Sequence, residues 1–163
     1  MSYAHLLGDV DIFADLDQSR LECISSICSE CRYDTGTIIF EGNTQSDGLY
    51  VILSGEVAIL VDPDILPSDS NSQQIPGPLT ISKLRLGQCF GEIALVDEGV
   101  RSASARAEVD ETRLLLIRRG DLLRLCQEDF ELGFLLMRNL AADLALKIRQ
   151  TDLRLRQRLL WKS

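Results

Sequence analysis

The sequence predicts a mainly β fold flanked by helices, of the barrel or jelly-roll type. Two observations carry this prediction. Through the middle of the chain, about eight short β-rich runs alternate with glycine-containing turns, which is typical of barrels and jelly rolls. Towards both ends the apolar residues recur at helical spacing instead, and residues 130–161 contain no proline.

Helical signals occupy residues 9–31, where N-terminal helices are predicted. Asp17 is a candidate N-cap, because its side chain can accept a backbone N–H of the first turn. The residues before this segment, including His5, are expected to be mobile. Apolar and thiol side chains follow Asp17 at near-helical spacing, and these are Leu21, Ile24, Ile27, Cys28 and Cys31.

The middle of the chain, residues 32–118, is predicted to hold the strands. Turn signals such as Ser54-Gly55 and Leu86-Gly87 separate the β-rich runs. Residues 62–78 contain all four prolines and no basic residue, which predicts a long, mobile hairpin loop. This loop is either a tolerated insertion or an effector contact. The clearest predicted strands are Thr37–Phe40, Leu49–Leu53, Glu56–Val61, Leu79–Leu86 and Thr112–Ile117.

The C-terminal region, residues 119–163, is predicted to be helical. Gly120-Asp121 opens a short apolar helix, and a long helix runs from Phe130 to Trp161. Its apolar residues form two stripes, although a helix packed on one side needs only one. We therefore expect one stripe to cover the β body and the other to join a second copy in a homodimer. The stripes are Leu144, Ile148, Thr151, Leu155 and Leu159, and Leu146, Leu153 and Leu160.

Length and charge bound the class of protein. A chain of 163 residues is expected to form one domain over 1–163. No apolar run approaches the roughly 18 residues that span a bilayer, and the first residues lack the features of a signal peptide. A cytoplasmic location without membrane contact is therefore expected. The net charge is −8, with six of the 17 basic residues in 147–163, and an acidic body of this kind is a poor DNA-binding domain.

The most informative stretch is residues 90–107, which read FGEIALVDEGVRSASARA. Its glycine and alanines allow backbone N–H groups to approach phosphate oxygens, because no large side chain stands in the way. Arg101 can bind the same phosphate with a charge-assisted fork, and Glu92 can accept a hydrogen bond from a sugar hydroxyl. The set suits a small ligand with one anionic phosphate and one sugar hydroxyl. Alternatively, Glu92 and Arg101 form a structural ion pair with each other.

Residues 90–107 resemble, without a gap, the phosphate-binding cassette of the cyclic-nucleotide-binding domain superfamily. The superfamily includes the catabolite activator protein, the regulatory subunit of protein kinase A and cyclic-nucleotide-gated channels. Residues 33–40, 41–43 and 49–57 are similar to the family's early strands and turns. The resemblance implies a β-roll, a double-stranded jelly-roll-like fold, with a long C-terminal helix.

The resemblance also implies a function. It implies a sensor that binds a 3′,5′-cyclic purine nucleotide and signals to an effector protein through its C-terminal helix, without catalysing a reaction. As ligand, cAMP is slightly favoured over cGMP, and neither a cofactor nor a metal is expected. Glu92 would bind the ribose 2′-hydroxyl and Arg101 the cyclic phosphate. The other implied contacts are Gly91, Ile93, Ala94, Ser102 and Ala103 in the cassette, and Thr151 and Asp152 where the long helix meets the base.

Two other interpretations remain open. In one, the same fold has lost its ligand and serves as a dimeric adaptor. In the other, a redox sensor holds an iron–sulfur cluster with Cys23, Cys28, Cys31 and Cys126, since such a cluster needs four thiolates. The C-x4-C-x2-C spacing differs from that of the oxygen-sensing branch of the superfamily, and small buried cysteines on a helix explain it with less strain. With His5 as the one histidine, the sequence offers no base–nucleophile pair, so no enzyme is predicted.

Overall fold

The computed structural model of the chain describes residues 1–62, 77–97 and 99–160. In this part eight strands form two antiparallel four-stranded sheets, with helices before and after them. The predicted mainly β fold, a β-roll with flanking helices and a long C-terminal helix, is confirmed. The loop predicted for 62–78 lies, except at its ends, outside the described residues.

The elements follow one another in the predicted order of helices, strands and helices. The helices are α1 (Ala4–Gly8), α2 (Gln18–Ser26), α3 (Arg119–Glu128) and α4 (Phe130–Leu160), with 3₁₀ turns at Asp11–Phe13 and Glu92–Leu95. The strands are β1 (Cys28–Tyr33), β2 (Ile38–Phe40), β3 (Gly48–Ser54), β4 (Glu56–Val61), β5 (Leu79–Arg85), β6 (Cys89–Phe90), β7 (Ser104–Ala107) and β8 (Thr112–Arg118). The first sheet has the order β1-β8-β3-β6, and the second has the order β2-β7-β4-β5.

Strand β3 takes part in two separate hydrophobic cores, because successive side chains of a strand point to opposite faces. Leu49 and Val51 pack with the helices on the outer face of the first sheet. Tyr50 and Ile52 pack between the two sheets, together with Val57 of the second sheet. The helices and the second sheet are therefore both held against the same strand.

The N-terminal helical segment is shorter than predicted. Asp17 does cap α2, since its carboxylate accepts the backbone N–H of Arg20 at 2.9 Å. The prediction of helix through residue 31 is wrong, because Cys28–Tyr33 form β1 and pair with β8 along their whole length. Apolar and thiol positions in so short a segment fit either period, and pairing with a buried strand decides between them.

The first residues are not the mobile end that the sequence predicts. Residues 4–8 form helix α1, with Ala4 and Leu7 buried in the core under the first sheet. The backbone N–H of Tyr3 donates to Ser25 Oγ at 2.7 Å, which joins this helix to α2. His5 lies on α1 and is exposed.

A polar network joins this N-terminus to the first sheet and leads to a pH prediction. Arg113 Nε and the Tyr3 hydroxyl each donate to Glu30 at 2.7 Å. These two hydrogen bonds, with that of Arg113 the stronger, lower the pKa of Glu30 from 4.5 to about 2. Because the folded-state pKa lies below the unfolded one, the carboxylate stabilises the fold above about pH 4.5, and this stabilisation is lost as the pH falls towards 2.

We therefore expect Glu30→Gln to reduce the dependence of unfolding free energy on pH in this acidic window. Urea unfolding at pH values between 2 and 5 would measure it. The control is Glu128→Gln, which removes an exposed carboxylate from the end of α3. Equal pH dependence in the wild type and the Glu30 variant would contradict the prediction.

The first part of α4 is anchored to the N-terminal region. Asp129 lies in extended conformation between α3 and α4, and its carboxylate accepts Arg20 Nε of α2 at 2.7 Å. The Asn139 amide donates to the carbonyl oxygen of Ala14 at 2.7 Å. The face of α4 beside these anchors is buried in the core, and its residues are Leu132, Leu136 and Leu140.

Beyond Leu140, α4 leaves the core. Of the two predicted stripes, Leu144 packs partly against the core. Apart from Leu144, the prediction that one stripe covers the β-roll is wrong. The face of α4 that packs on the core is formed instead by Leu132, Leu136 and Leu140. No helix in the described part of the chain is long and apolar enough to cross a membrane. The remaining apolar side chains of the stripes are exposed, and these are Leu146, Ile148, Leu153, Leu155, Leu159 and Leu160.

Candidate functional site

A cavity of about 720 Å³ lies between the cassette, strands β4 and β5 and the part of α4 beyond Leu140. The strands contribute apolar side chains, namely Ile59, Ile81 and Leu84. The helix contributes polar side chains, among them Asp143, Lys147, Gln150, Thr151 and Arg154. The cavity therefore has an apolar wall on one side and a polar wall on the other, an arrangement typical of small-molecule sites.

Gly91 forms the turn from which the cassette begins. Its φ is +78°, in the left-handed region that glycine adopts without strain, and the 3₁₀ turn Glu92–Leu95 follows directly. A Cβ atom here would lie 2.7 Å from Arg101 Nη1 and 2.9 Å from the carbonyl oxygen of Gly48. Glycine is required both for the backbone conformation and for the close approach of Arg101.

Arg101 is held in a defined position although it is a long side chain. It is 6% exposed, and its Nη2 donates to Asp47 Oδ1 at 2.7 Å and to the Gly48 carbonyl at 3.3 Å. Its guanidinium carbon lies 3.6 Å from the ring centroid of Phe40, a cation–π contact. The backbone N–H of Arg101 donates to the carbonyl of Thr44 at 2.8 Å. A buried guanidinium is thus fixed at the wall of the cavity.

Glu92 is also 6% exposed, and its partner comes from α4. Lys147 Nζ lies 2.5 Å from Glu92 Oε1 and 2.8 Å from Asp143 Oδ2. Burial lowers the pKa of Lys147, but the hydrogen bonds that its ammonium donates to Asp143 and Glu92 outweigh burial and raise the pKa overall. The ammonium therefore stays charged between two carboxylates. The alternative that Glu92 and Arg101 pair with each other does not hold, since each has a different partner.

The structure brings most of the predicted site residues to this one cavity. Gly91, Glu92, Ile93, Ala94, Arg101, Ser102, Ala103 and Thr151 all line it. The Thr151 hydroxyl donates to the Lys147 carbonyl oxygen at 2.9 Å within the helix. Asp152 is exposed and is not among the lining residues, so the prediction that it contacts a base has no geometric support.

The partners that hold Arg101 and Glu92 are not evident in the sequence. Phe40 and Asp47 lie far from Arg101 in the chain, and no local pattern connects them with it. Lys147 carries a weak signal, because Asp143 precedes it by four residues, a spacing that places both side chains on one helix face. The approach of Lys147 to Glu92, 55 positions away, depends on where α4 packs.

The cysteines do not assemble into a cluster. Cys28 and Cys31 lie on β1 and not on a helix, while Cys23 lies on α2 and Cys126 on α3. Within residues 1–62, 77–97 and 99–160, no group of three or more His, Cys, Asp or Glu residues is placed to hold a metal ion. Cys89 lines the cavity, and burial raises the pKa of its thiol to about 12. It is therefore protonated at neutral pH and a poor nucleophile.

Residues 30–129 match the family model of the cyclic nucleotide-binding domain. The chain belongs to the cyclic nucleotide-binding domain family. It is 33% identical over 144 residues to the cyclic AMP receptor protein of Thermus thermophilus, an alignment that covers 88% of this chain and 60% of that protein. It is 30% identical over 118 residues to a cGMP-dependent protein kinase of Caenorhabditis elegans, covering 71% of this chain and 14% of the kinase. The chain thus spans less than two thirds of either relative.

Solved structures of cyclic nucleotide-binding domains share the fold. The crystal structure of the Thermus thermophilus catabolite activator protein superposes with a TM-score of 0.70 at 33% identity, over 89% of this chain and 61% of that one. A cyclic nucleotide-binding domain from Methylobacillus flagellatus superposes with a TM-score of 0.76 over 99% of this chain and 86% of that one. At its 21% identity, the second likeness concerns the fold alone.

Proposed function

We propose that this protein is a sensor that binds a 3′,5′-cyclic purine nucleotide in the cavity under α4. The observation that carries the proposal is that Arg101 and Glu92 are both buried and line the same cavity. A buried cation and a buried carboxylate in one cavity suit a ligand that is anionic at one end and donates a hydroxyl at the other. Membership of the cyclic nucleotide-binding domain family supports the same ligand class.

The proposed pose follows from these two groups. The cyclic phosphate lies at Arg101 and accepts hydrogen bonds from its guanidinium and from backbone N–H groups of the cassette. The ribose 2′-hydroxyl donates to Glu92. The base then extends towards the apolar wall of Ile81 and Leu84, with Thr151 of α4 opposite. In this pose no covalent bond of the ligand is formed or broken, so the protein acts as a receptor and not as an enzyme.

We favour cAMP slightly over cGMP. A cyclic AMP receptor protein and a cGMP-dependent protein kinase are both among the relatives, at 33% and 30% identity. Ser102 lines the cavity next to Arg101, and its hydroxyl can accept a hydrogen bond from the amino group of guanine. This contact would favour cGMP. Asp152 could accept hydrogen bonds from guanine, but it lies outside the cavity lining and therefore does not support a preference for cGMP.

The proposed output is a rearrangement of α4 that an effector protein recognises. The helix is anchored to the core as far as Leu140, whereas the part beyond it lies over the cavity. Ligand in the cavity would change which position of that part is most stable. The size of this population shift is limited by the difference in ligand affinity between the two positions.

Calorimetric titration of the nucleotide-free protein with cAMP and with cGMP tests the proposal. Micromolar or tighter binding of either nucleotide is expected, and the tighter of the two identifies the purine. Absence of heat with both ligands, for a protein that is folded by circular dichroism, would reject the receptor function. The ligand-free adaptor would then be the better interpretation.

We also propose that α4 joins two copies in a homodimer. Its exposed apolar stripe includes Ile148, Leu155 and Leu159, each more than half exposed in the single chain. Side chains of this size at near-heptad spacing on a long helix are typical of a helix–helix interface. The interface would lie next to the cavity, because Thr151 of the same stripe lines it.

The homodimer predicts a specific change in molecular mass. The wild type is expected to be a dimer, and Ile148→Glu with Leu155→Glu is expected to be a monomer, because glutamates cannot be buried unpaired in such an interface. Size-exclusion chromatography with light scattering measures both. Gln157→Glu adds charge to the face of α4 opposite Ile148 and Leu155 and should remain dimeric. A wild-type monomer at micromolar concentration would refute the homodimer.

A further inference from the structure

Lys147 binds the carboxylate to which the ribose of the proposed ligand would bind. Its ammonium lies 2.5 Å from Glu92 Oε1. The carboxylate is 6% exposed, so an ammonium and a ribose hydroxyl have little room to bind it together. We infer that Lys147 is a built-in competitor: it holds α4 on Glu92 in the ligand-free protein and is displaced by the ribose 2′-hydroxyl. This inference rests on the proposed function.

Asp143 makes the exchange feasible. It lies one helical turn before Lys147, and its Oδ2 is 2.8 Å from the ammonium. When the ribose takes Glu92, Lys147 keeps this second carboxylate, and Glu92 gains a hydroxyl donor in place of the ammonium. Glu92, the buried member of the pair, is therefore not left without a partner, which is the state that would be strongly unfavourable. The competition therefore weakens ligand binding moderately and does not prevent it.

The position of the contact gives it a role in the output. The part of α4 beyond Leu140 has mostly exposed side chains, and the Lys147–Glu92 ion pair joins it to the cassette. Displacement of Lys147 removes this link at the moment when the ribose binds. Ligand binding and release of α4 from Glu92 are thus the same event.

The competition acts on one hydroxyl of the ligand, and this gives a sharp test. A ribonucleotide must displace Lys147 to reach Glu92, whereas a 2′-deoxyribonucleotide has no 2′-hydroxyl to place at Glu92 and leaves Lys147 where it is. Lys147→Met keeps most of the side-chain length and nearly the same helix propensity, and it removes the charge. We expect Lys147→Met to tighten cAMP binding by about two- to fivefold, the effect of no longer breaking one half-exposed ion pair. Binding of 2′-deoxy-cAMP should be unchanged.

Asp143→Asn gives a prediction of opposite sign. With its second carboxylate removed, Lys147 has Glu92 as its one carboxylate partner in the contact, so cAMP should bind more weakly than to the wild type. Arg149→Met is the matched control, because it removes one positive charge from α4 at an exposed position outside the cavity lining. Its affinity for both nucleotides should equal that of the wild type.

The experiment is calorimetric titration of the four proteins with cAMP and 2′-deoxy-cAMP, or with cGMP and its 2′-deoxy analogue if cGMP is the tighter ligand. Tighter binding of the ribonucleotide alone to Lys147→Met supports the competitor. Weaker binding of both nucleotides would make Lys147 a ligand contact, and unchanged binding would make it a bystander; either overturns the inference and leaves the proposed function standing. Binding to none of the four folded proteins overturns both. If Lys147→Met is not folded by circular dichroism, Lys147→Gln replaces it with the same expected outcomes.

Discussion

Replacing Arg101 with alanine is expected to weaken cyclic-nucleotide binding by at least about tenfold, because removal of one partner of a buried charged contact costs about 2–5 kcal/mol. The guanidinium is buried, and the chain positions it with three groups that the ligand does not supply: Asp47, the Gly48 carbonyl and the ring of Phe40. A ligand phosphate therefore meets a cation that is already in place, and little ordering has to accompany binding.

Loss of affinity in Arg101→Ala has to be distinguished from unfolding and from the loss of a positive charge alone, and two further variants serve this purpose. Asp47 is more than half exposed, so water can solvate it when Arg101 is removed, and the fold should survive. Arg101→Lys keeps the charge but loses the planar fork over Phe40, and its affinity should lie between those of the alanine variant and the wild type. Arg106→Ala removes a nearby arginine that pairs with Glu108 outside the cavity lining and should bind normally. Calorimetric titration measures all three, and unchanged affinity in Arg101→Ala would rule out Arg101 as the phosphate ligand.

Gly91→Ala is expected to reduce both stability and nucleotide binding. The backbone at this position has a φ of +78°, which is strained for alanine, and such strain costs about 1–3 kcal/mol. In addition, the new methyl group would lie 2.7 Å from Arg101 Nη1 and 2.9 Å from the carbonyl oxygen of Gly48. Both distances are too short, so either the cassette or the guanidinium has to move. Movement of either one changes the distance between Arg101 and Glu92, the two groups proposed to bind the ligand.

Gly36→Ala is the matched control for Gly91→Ala. Gly36 has a nearly equal φ of +82°, no atom beyond its two chain neighbours lies within 4 Å of the position of its Cβ, and it is not part of the cavity lining. It should therefore lose stability from backbone strain and bind nucleotide normally. Urea unfolding and calorimetric titration of both variants give the comparison. If Gly91→Ala binds as tightly as Gly36→Ala, the close approach of Arg101 to Gly91 has no part in the site.

The cassette could be predicted from the sequence because its information is local. Gly91, Glu92 and Arg101 lie within a stretch of 18 residues, and the turn, the carboxylate and the guanidinium are all specified inside it. The long helix is similar, since its spacing of leucines and its lack of proline are visible without any partner. The two glycine turns at Ser54-Gly55 and Leu86-Gly87 separate strands as expected, and Gly55 and Gly87 both have positive φ.

Elsewhere the local pattern was compatible with more than one structure. Cys28 and Cys31 fit a helical period continued from α2, but they belong to a strand because β8 offers a buried edge along their whole length. Likewise, both stripes of α4 looked equally able to cover the β-roll. The packing of Leu132, Leu136 and Leu140 sets the rotation of the helix, and this rotation leaves the leucine and isoleucine side chains of both stripes exposed from Leu146 onwards.

By itself, the sequence determined the fold class, the cassette and the choice of Glu92 and Arg101 as its two candidate charged site residues. Only the tertiary structure decided what holds those residues: Phe40 and Asp47 for Arg101, and Lys147 for Glu92. The physical reason is the separation along the chain over which each kind of interaction acts. Turn conformation and amphipathic spacing act between near neighbours in the chain, whereas ion pairs and ring contacts depend on distances in space. Those distances exist only after the sheets and α4 have packed against one another.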